Sequence, residues 1–114
     1  MGSNCSIYGL MDPFSGQVHY VGRSLTPKKR YKKHMRQGKK LLAYLKRGNR
    51  LISKTKEEWI AHLLLKGKSP TMVIIEIVPV SKAQIAEDYW YDICLEEFNM
   101  PLMNKIRAKR KARK

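Results

Sequence analysis

The spacing of apolar positions divides the chain into a short series of strands and helices. Ser6 to Met11 and Gln17 to Gly22 are β-favouring runs joined by Asp12-Pro13-Phe14-Ser15-Gly16, a string of turn residues, which predicts a hairpin. A turn centred on Phe14 sets Tyr8 opposite Tyr20, and the period of two puts both rings on one face with His19 on the other. Thr26-Pro27 reads as a helix start, Thr as N-cap and Pro in the first turn, and Gly38 is expected to break that helix after Gln37. Within it Arg30 and His34 stand one turn apart on a shared face, beside a core stripe of Tyr31 and Met35. A second basic helical segment then runs from Lys39 to Arg47, with Leu41, Leu42 and Leu45 as its apolar side.

The pattern from Lys54 to Lys66 predicts a further helix, with Thr55 capping three residues ahead of Glu58 and Trp59, Ile60, Leu63 and Leu64 facing inward. Met72 to Val78 is almost unbroken apolar and β-branched sequence, the mark of a central strand covered on both faces, and Pro79 closes it. Ser81 and Gln84 have capping-box spacing at the head of a long helix from Lys82 to about Phe98. Its inward stripe is Ala83, Ala86, Trp90, Ile93 and Cys94, and Glu87 falls inside that stripe, where a carboxylate is costly unless paired, protonated or metal-bound. The order ββααβα implies an α+β fold, a small, mainly antiparallel three-stranded sheet flanked by helices. At 114 residues there is room for one modest core, read as a domain over 1–104 and a basic tail over 105–114.

Charge narrows the partner. The formal net charge is +15, and no acidic residue occurs between Pro13 and Lys56 while lysines and arginines crowd that interval. Such one-sided charge repels itself unless a polyanion neutralises it, so nucleic acid is the expected partner. Cys5 and Cys94 provide neither a disulfide framework nor a zinc pair, and no apolar run reaches the ~18 residues of a membrane span. The expectation is a chain in the cytoplasm with no membrane contact.

Ser6-Ile7-Tyr8, Tyr20-Val21-Gly22 with Arg23, Arg30 with His34, Glu87 on a helix and a closing Leu102-Met103-Asn104 follow one another in an order that resembles the GIY-YIG nuclease family over roughly residues 6 to 104. The arrangement is most similar to that family's small phage-type and homing-endonuclease catalytic domains, implying a chain encoded by a bacterial cell or a phage. Ser6 stands where the family has Gly, and Val21 where it has Ile.

The resemblance implies a metal-dependent endonuclease acting on DNA rather than RNA. Tyr8 would activate the attacking water, Tyr20 would orient the water or the phosphate with its hydroxyl as the fallback base, Arg30 would bridge the scissile phosphate, and His34 would hydrogen-bond a phosphate or a tyrosine. Glu87 would hold one Mg²⁺ or Mn²⁺. A free phenol has a pKa of about 10, so Arg23 and Arg30 are expected to favour the ionised form of Tyr8. Arg23, Lys28, Lys29, Lys33 and Asn104 complete the substrate-binding set, Asn104 as an anchor of the chain near Glu87 rather than a group that performs chemistry. No base-reading element follows, so low sequence selectivity or recognition of DNA structure is expected, with a protein partner as a possible source of specificity and a monomer or a substrate-induced dimer as the active form. The alternative is a basic nucleic-acid-binding module on the same scaffold that cuts weakly or not at all, an rRNA-associated protein among them.

Overall fold

A computed structural model of the chain describes residues 3–48, 55–97, 100 and 102–104. Strands β1 (Asn4–Met11) and β2 (Val18–Ser24) form the hairpin, followed by helices α1 (Pro27–Lys46) and α2 (Lys56–Leu65), strand β3 (Thr71–Pro79), a 3₁₀ turn (Val80–Lys82) and helix α3 (Ala83–Asp92), which widens into a π-helical stretch over Ile93–Glu97. The result is an α+β fold on a three-stranded antiparallel sheet of order β2-β1-β3. The expected end of the last helix at Phe98 and the tail over 105–114 lie outside the described residues.

β1 occupies the middle of the sheet, and Cys5, Ile7, Tyr8 and Leu10 are all buried. Alternation along it feeds two cores. Tyr8 and Leu10 pack with Trp59, Ile60 and Leu63 of α2 and with Tyr31 and Met35 of α1. Ile7 packs with Val21 and with Ala86, Trp90 and Cys94 at the other end of the chain. The sheet thus lies between an α1/α2 layer and an α3 layer.

Four expectations are corrected here. β3 is an edge strand, not the central one, and Ile74 and Ile77 are 47% and 61% exposed. The register Ile7↔Glu76 then Tyr8↔Ile74 leaves Ile75 as an extra residue. That bulge breaks the alternation of two, so apolar residues from both faces read as one continuous run. Thr26 makes no side-chain cap bond, although Pro27 does open α1, whereas Thr55 does cap α2 through the Glu58 N–H at 3.1 Å. Ser81 does not cap α3 either: it sits inside the 3₁₀ turn, and Gln84 turns its side chain to Arg23 and Asp88.

Gly38 does not end α1, which runs unbroken to Lys46. It is buried at the crossing with α2, where an added Cβ would lie 2.8 Å from Cβ of Ile60 and closer still to its Cγ2. The glycine serves close helix approach rather than termination. Gly38→Ala should therefore destabilise the domain by ~1 kcal/mol, an overpacking cost of about 1–3 kcal/mol less the ~1 kcal/mol by which Ala favours a helix. Urea unfolding checks this, and an unchanged midpoint would mean that α1 and α2 can move apart freely.

Candidate active site

The hairpin brings Tyr8 and Tyr20 to one face, but not opposite one another. Tyr8 pairs with Gly22 and Tyr20 with Leu10. The loop is held by Asp12, whose Oδ1 accepts from the Phe14 and Ser15 N–H groups, with Gly16 at φ 73°, and a bulge follows at Leu10/Met11. Together they shift the pairing by two residues, an even step that preserves the face. The rings meet on the diagonal with centroids 6.2 Å apart. Gly22 makes this possible: a Cβ there would stand 2.7 Å from the Tyr8 hydroxyl and 2.9 Å from Cε2 of Tyr20. The same bulge turns His19 toward α2, where it stacks on Trp59 at 4.7 Å rather than facing away from that layer.

α1 lays Arg30 and His34 over these phenols, as the one-turn spacing requires. The Arg30 guanidinium lies near enough to Tyr8 and Tyr20 for the phenols to raise its pKa against the opposing effect of burial. His34 is fully buried, with Nε2 2.7 Å from the Tyr8 hydroxyl and Nδ1 2.8 Å from Nζ of Lys56. A lysine ammonium can only donate. Nδ1 of His34 therefore accepts, Nε2 carries the ring proton, and that N–H donates to the Tyr8 oxygen. Lys56 also meets Glu57 at 3.2 Å and Gln37 at 3.3 Å, and lies 5.0 Å from the Tyr20 ring centroid.

Burial and then the cations Lys56, Arg30 and Lys33 push the His34 pKa down to about 3 from 6.5. The folded value lies below the unfolded one, so acid favours the unfolded chain. Stability is complete above pH 6.5 and is lost as pH falls from 6.5 toward 3, at about 1.4 kcal/mol per pH unit. His19, lowered by burial, adds to the same limb. Wild type should lose about 2 kcal/mol between pH 7 and pH 5 through His34, and His34→Gln distinctly less. Equal losses in denaturant titrations of the two proteins would remove His34 from this account.

The environment of Tyr8 departs from expectation. Burial, followed by the neighbouring Tyr20, moves its phenol well above the ordinary value, and the Arg30 contact only partly offsets this. Arg23 is not one of the cations acting on it. Tyr8 is 0% exposed, whereas Tyr20 is partly open.

Beside the phenols, Ser24, Thr26, Lys29, Arg30, Lys32, Lys33 and Arg36 line an open groove of about 440 Å³ in which every charged group is a cation. Lys29 and Lys33 thus stand where the sequence places them, while Lys28 is exposed on the same helix and does not line the groove. Lys32 and Arg36, members of the same basic run, join the groove, as do the hydroxyls of Ser24 and Thr26, for which the sequence carries no signal. Lys56 was missed as well. A cation in the first turn of α2 opposes the helix dipole, which favours acids there, and that anomaly was the available signal.

Glu87 arrives from the α3 layer. Its side chain is 15% exposed, and Oε1 lies 3.6 Å from Nη1 of Arg23, at the end of β2. Glu87 belongs to the layer across the sheet from α1, and its charge adds the least of the named causes that raise the Tyr8 pKa. Arg23 is committed to this side, donating to Gln84 at 2.7 Å as well. Among the described residues no three His, Cys, Asp or Glu side chains form a metal cage. One carboxylate suits Mg²⁺ or Mn²⁺ of the kind that keeps several waters and takes further oxygens from a phosphate.

Asn104, expected to anchor the chain near Glu87 beside the substrate, anchors it to β2. Its Oδ1 accepts from the Val21 N–H at 3.0 Å and its Nδ2 donates to the Val21 carbonyl at 2.7 Å, so the amide pairs with the main chain of β2 as a neighbouring strand would. No helix among the described residues is long and apolar enough to cross a membrane. No protein-family model matches the chain, and neither the curated proteins nor the solved structures yield a match.

Proposed function

We propose that this chain is a divalent-metal-dependent endonuclease that hydrolyses DNA phosphodiester bonds, built on the plan of the GIY-YIG nucleases. The observation that carries this reading is the position of Arg30, a planar fork of donors one helical turn from the His34 that packs on both phenols, in the wall of an all-cationic groove. A guanidinium in that place can take two oxygens of a phosphate and stabilise the charge that builds on them during displacement. Lys29, Lys32, Lys33 and Arg36 extend the binding along the backbone. Phosphate contacts position a duplex without reading bases, so selectivity should be low or follow DNA shape, and affinity should fall steeply with salt.

Exposure divides the labour of the tyrosines. A base must touch the water it activates. Tyr20 is the more open of the two and takes that role, while Tyr8, sealed beneath α1, supports Arg30 and the geometry of the cluster. Negative charge on the Tyr20 oxygen is met by Arg30 at the hydroxyl and by the Lys56 ammonium over the ring. Glu87 would hold the metal, which supplies charge stabilisation at a phosphate oxygen and at the departing 3′-oxygen when bound.

A second reading, a nucleic-acid-binding module without cleavage, draws on the burial of Tyr8 and the Arg23–Glu87 pair. A supercoiled plasmid incubated with the protein in Mg²⁺ or Mn²⁺ separates the two. Nicked circles that form with metal and cease with EDTA support the nuclease; a gel shift without nicking in either metal supports the binding module.

A further inference from the structure

Behind the tyrosines lies a line of hydrogen bonds to which the mechanism above gives no part: Lys56 Nζ, His34 Nδ1, His34 Nε2, Tyr8 Oη. The histidine is fully buried and Lys56 is 8% exposed, so neither is a surface charge placed by chance. Burying a lysine is costly, and the cost is met here by Glu57, Gln37, the imidazole and the Tyr20 ring. A methionine of similar length would pack there without needing any of those partners. The position therefore asks what an ammonium does that a thioether cannot.

The answer lies in the direction of the hydrogen bonds. A neutral imidazole has one donor and one acceptor, and the partner of one nitrogen dictates the other. With Lys56 donating to Nδ1, Nε2 is compelled to donate to the Tyr8 oxygen. The Tyr8 oxygen therefore accepts from the imidazole, and the phenol's own hydrogen points away from it. Were Nδ1 to carry the ring proton, Nε2 would accept from Tyr8 and the phenol would turn its hydrogen inward. The second link is the placement of the same ammonium over the Tyr20 ring. One side chain from α2, an element that carries none of the expected site residues, reaches both tyrosines.

We infer that Lys56 is a positioning residue of the active site, which fixes the tautomer of His34 and thereby the polarity of the hydrogen bond to Tyr8, while holding the Tyr20 ring. This rests on the nuclease reading for its effect on rate, but the tautomer does not. Two measurements keep the two apart. ¹⁵N-detected imidazole spectra of the full chain at pH 7 should show His34 as the Nε2–H form in wild type and a shift toward the Nδ1–H form in Lys56→Met. Plasmid nicking by Lys56→Met should fall roughly tenfold or more in kcat, within the ~10²–10⁴-fold that proton-transfer help is worth, with KM little changed.

Lys56→Arg, which restores a charged donor, should recover the Nε2–H form and part of kcat. An Nδ1–H histidine in wild type, or a Lys56→Met protein with unaltered tautomer and unaltered kcat, overturns the inference. A wild type that shows the Nε2–H form and its loss in Lys56→Met, yet nicks nothing, keeps the tautomer assignment and removes the nuclease reading instead.

Discussion

Glu87→Ala is expected to yield a folded protein that retards DNA as wild type does and leaves supercoiled plasmid intact. The carboxylate stands beside Arg23 on α3 and does not line the cationic groove, so its removal takes away the proposed metal ligand and leaves the groove intact. Metal charge stabilisation is worth several kcal/mol, and each ~1.4 kcal/mol is tenfold, so nicking should fall at least ~10³-fold. The fold should tolerate the change, because alanine favours a helix and Arg23 keeps its bond to Gln84. DNA affinity and its salt slope should hold or rise slightly, since a negative charge has left the neighbourhood. Nicking within tenfold of wild type would remove Glu87 from the chemistry.

The second large effect concerns the tyrosines as a pair. Tyr20→Phe should lower kcat by ~10²–10⁴-fold while leaving DNA binding and stability near wild type, because the lost hydroxyl is the water-facing one. Tyr8→Phe should act differently. It removes the acceptor of a buried His34 N–H, so it should cost ~1–3 kcal/mol of stability and reduce turnover less than Tyr20→Phe does. Single-turnover nicking and urea unfolding of both variants make the comparison. Near-normal turnover in Tyr20→Phe with collapse in Tyr8→Phe would return the base to Tyr8.

How much of this was legible in the sequence follows from the physics of each element. The hairpin was readable, and so was the shared face of Tyr8 and Tyr20, because the pairing error amounted to an even number of residues. Arg30 and His34 follow from helical spacing alone. The place of β3 was not readable: a bulge at Ile75 counterfeits the pattern of a strand covered on both faces. Gly38 misled because a glycine in a helix looks the same in sequence whether it ends the helix or admits a neighbour. Burial of Tyr8 depends on how α1 lies across the sheet, a tertiary fact with no local signature. Asn104 was placed by its order in the chain, whereas its amide is occupied by the main chain of Val21.

That amide also bears on the rim of the sheet. β2 is an outer strand, and Asn104 offers one acceptor and one donor to the main chain of Val21 where a further strand would pair, so this stretch of the rim is closed to addition of another chain.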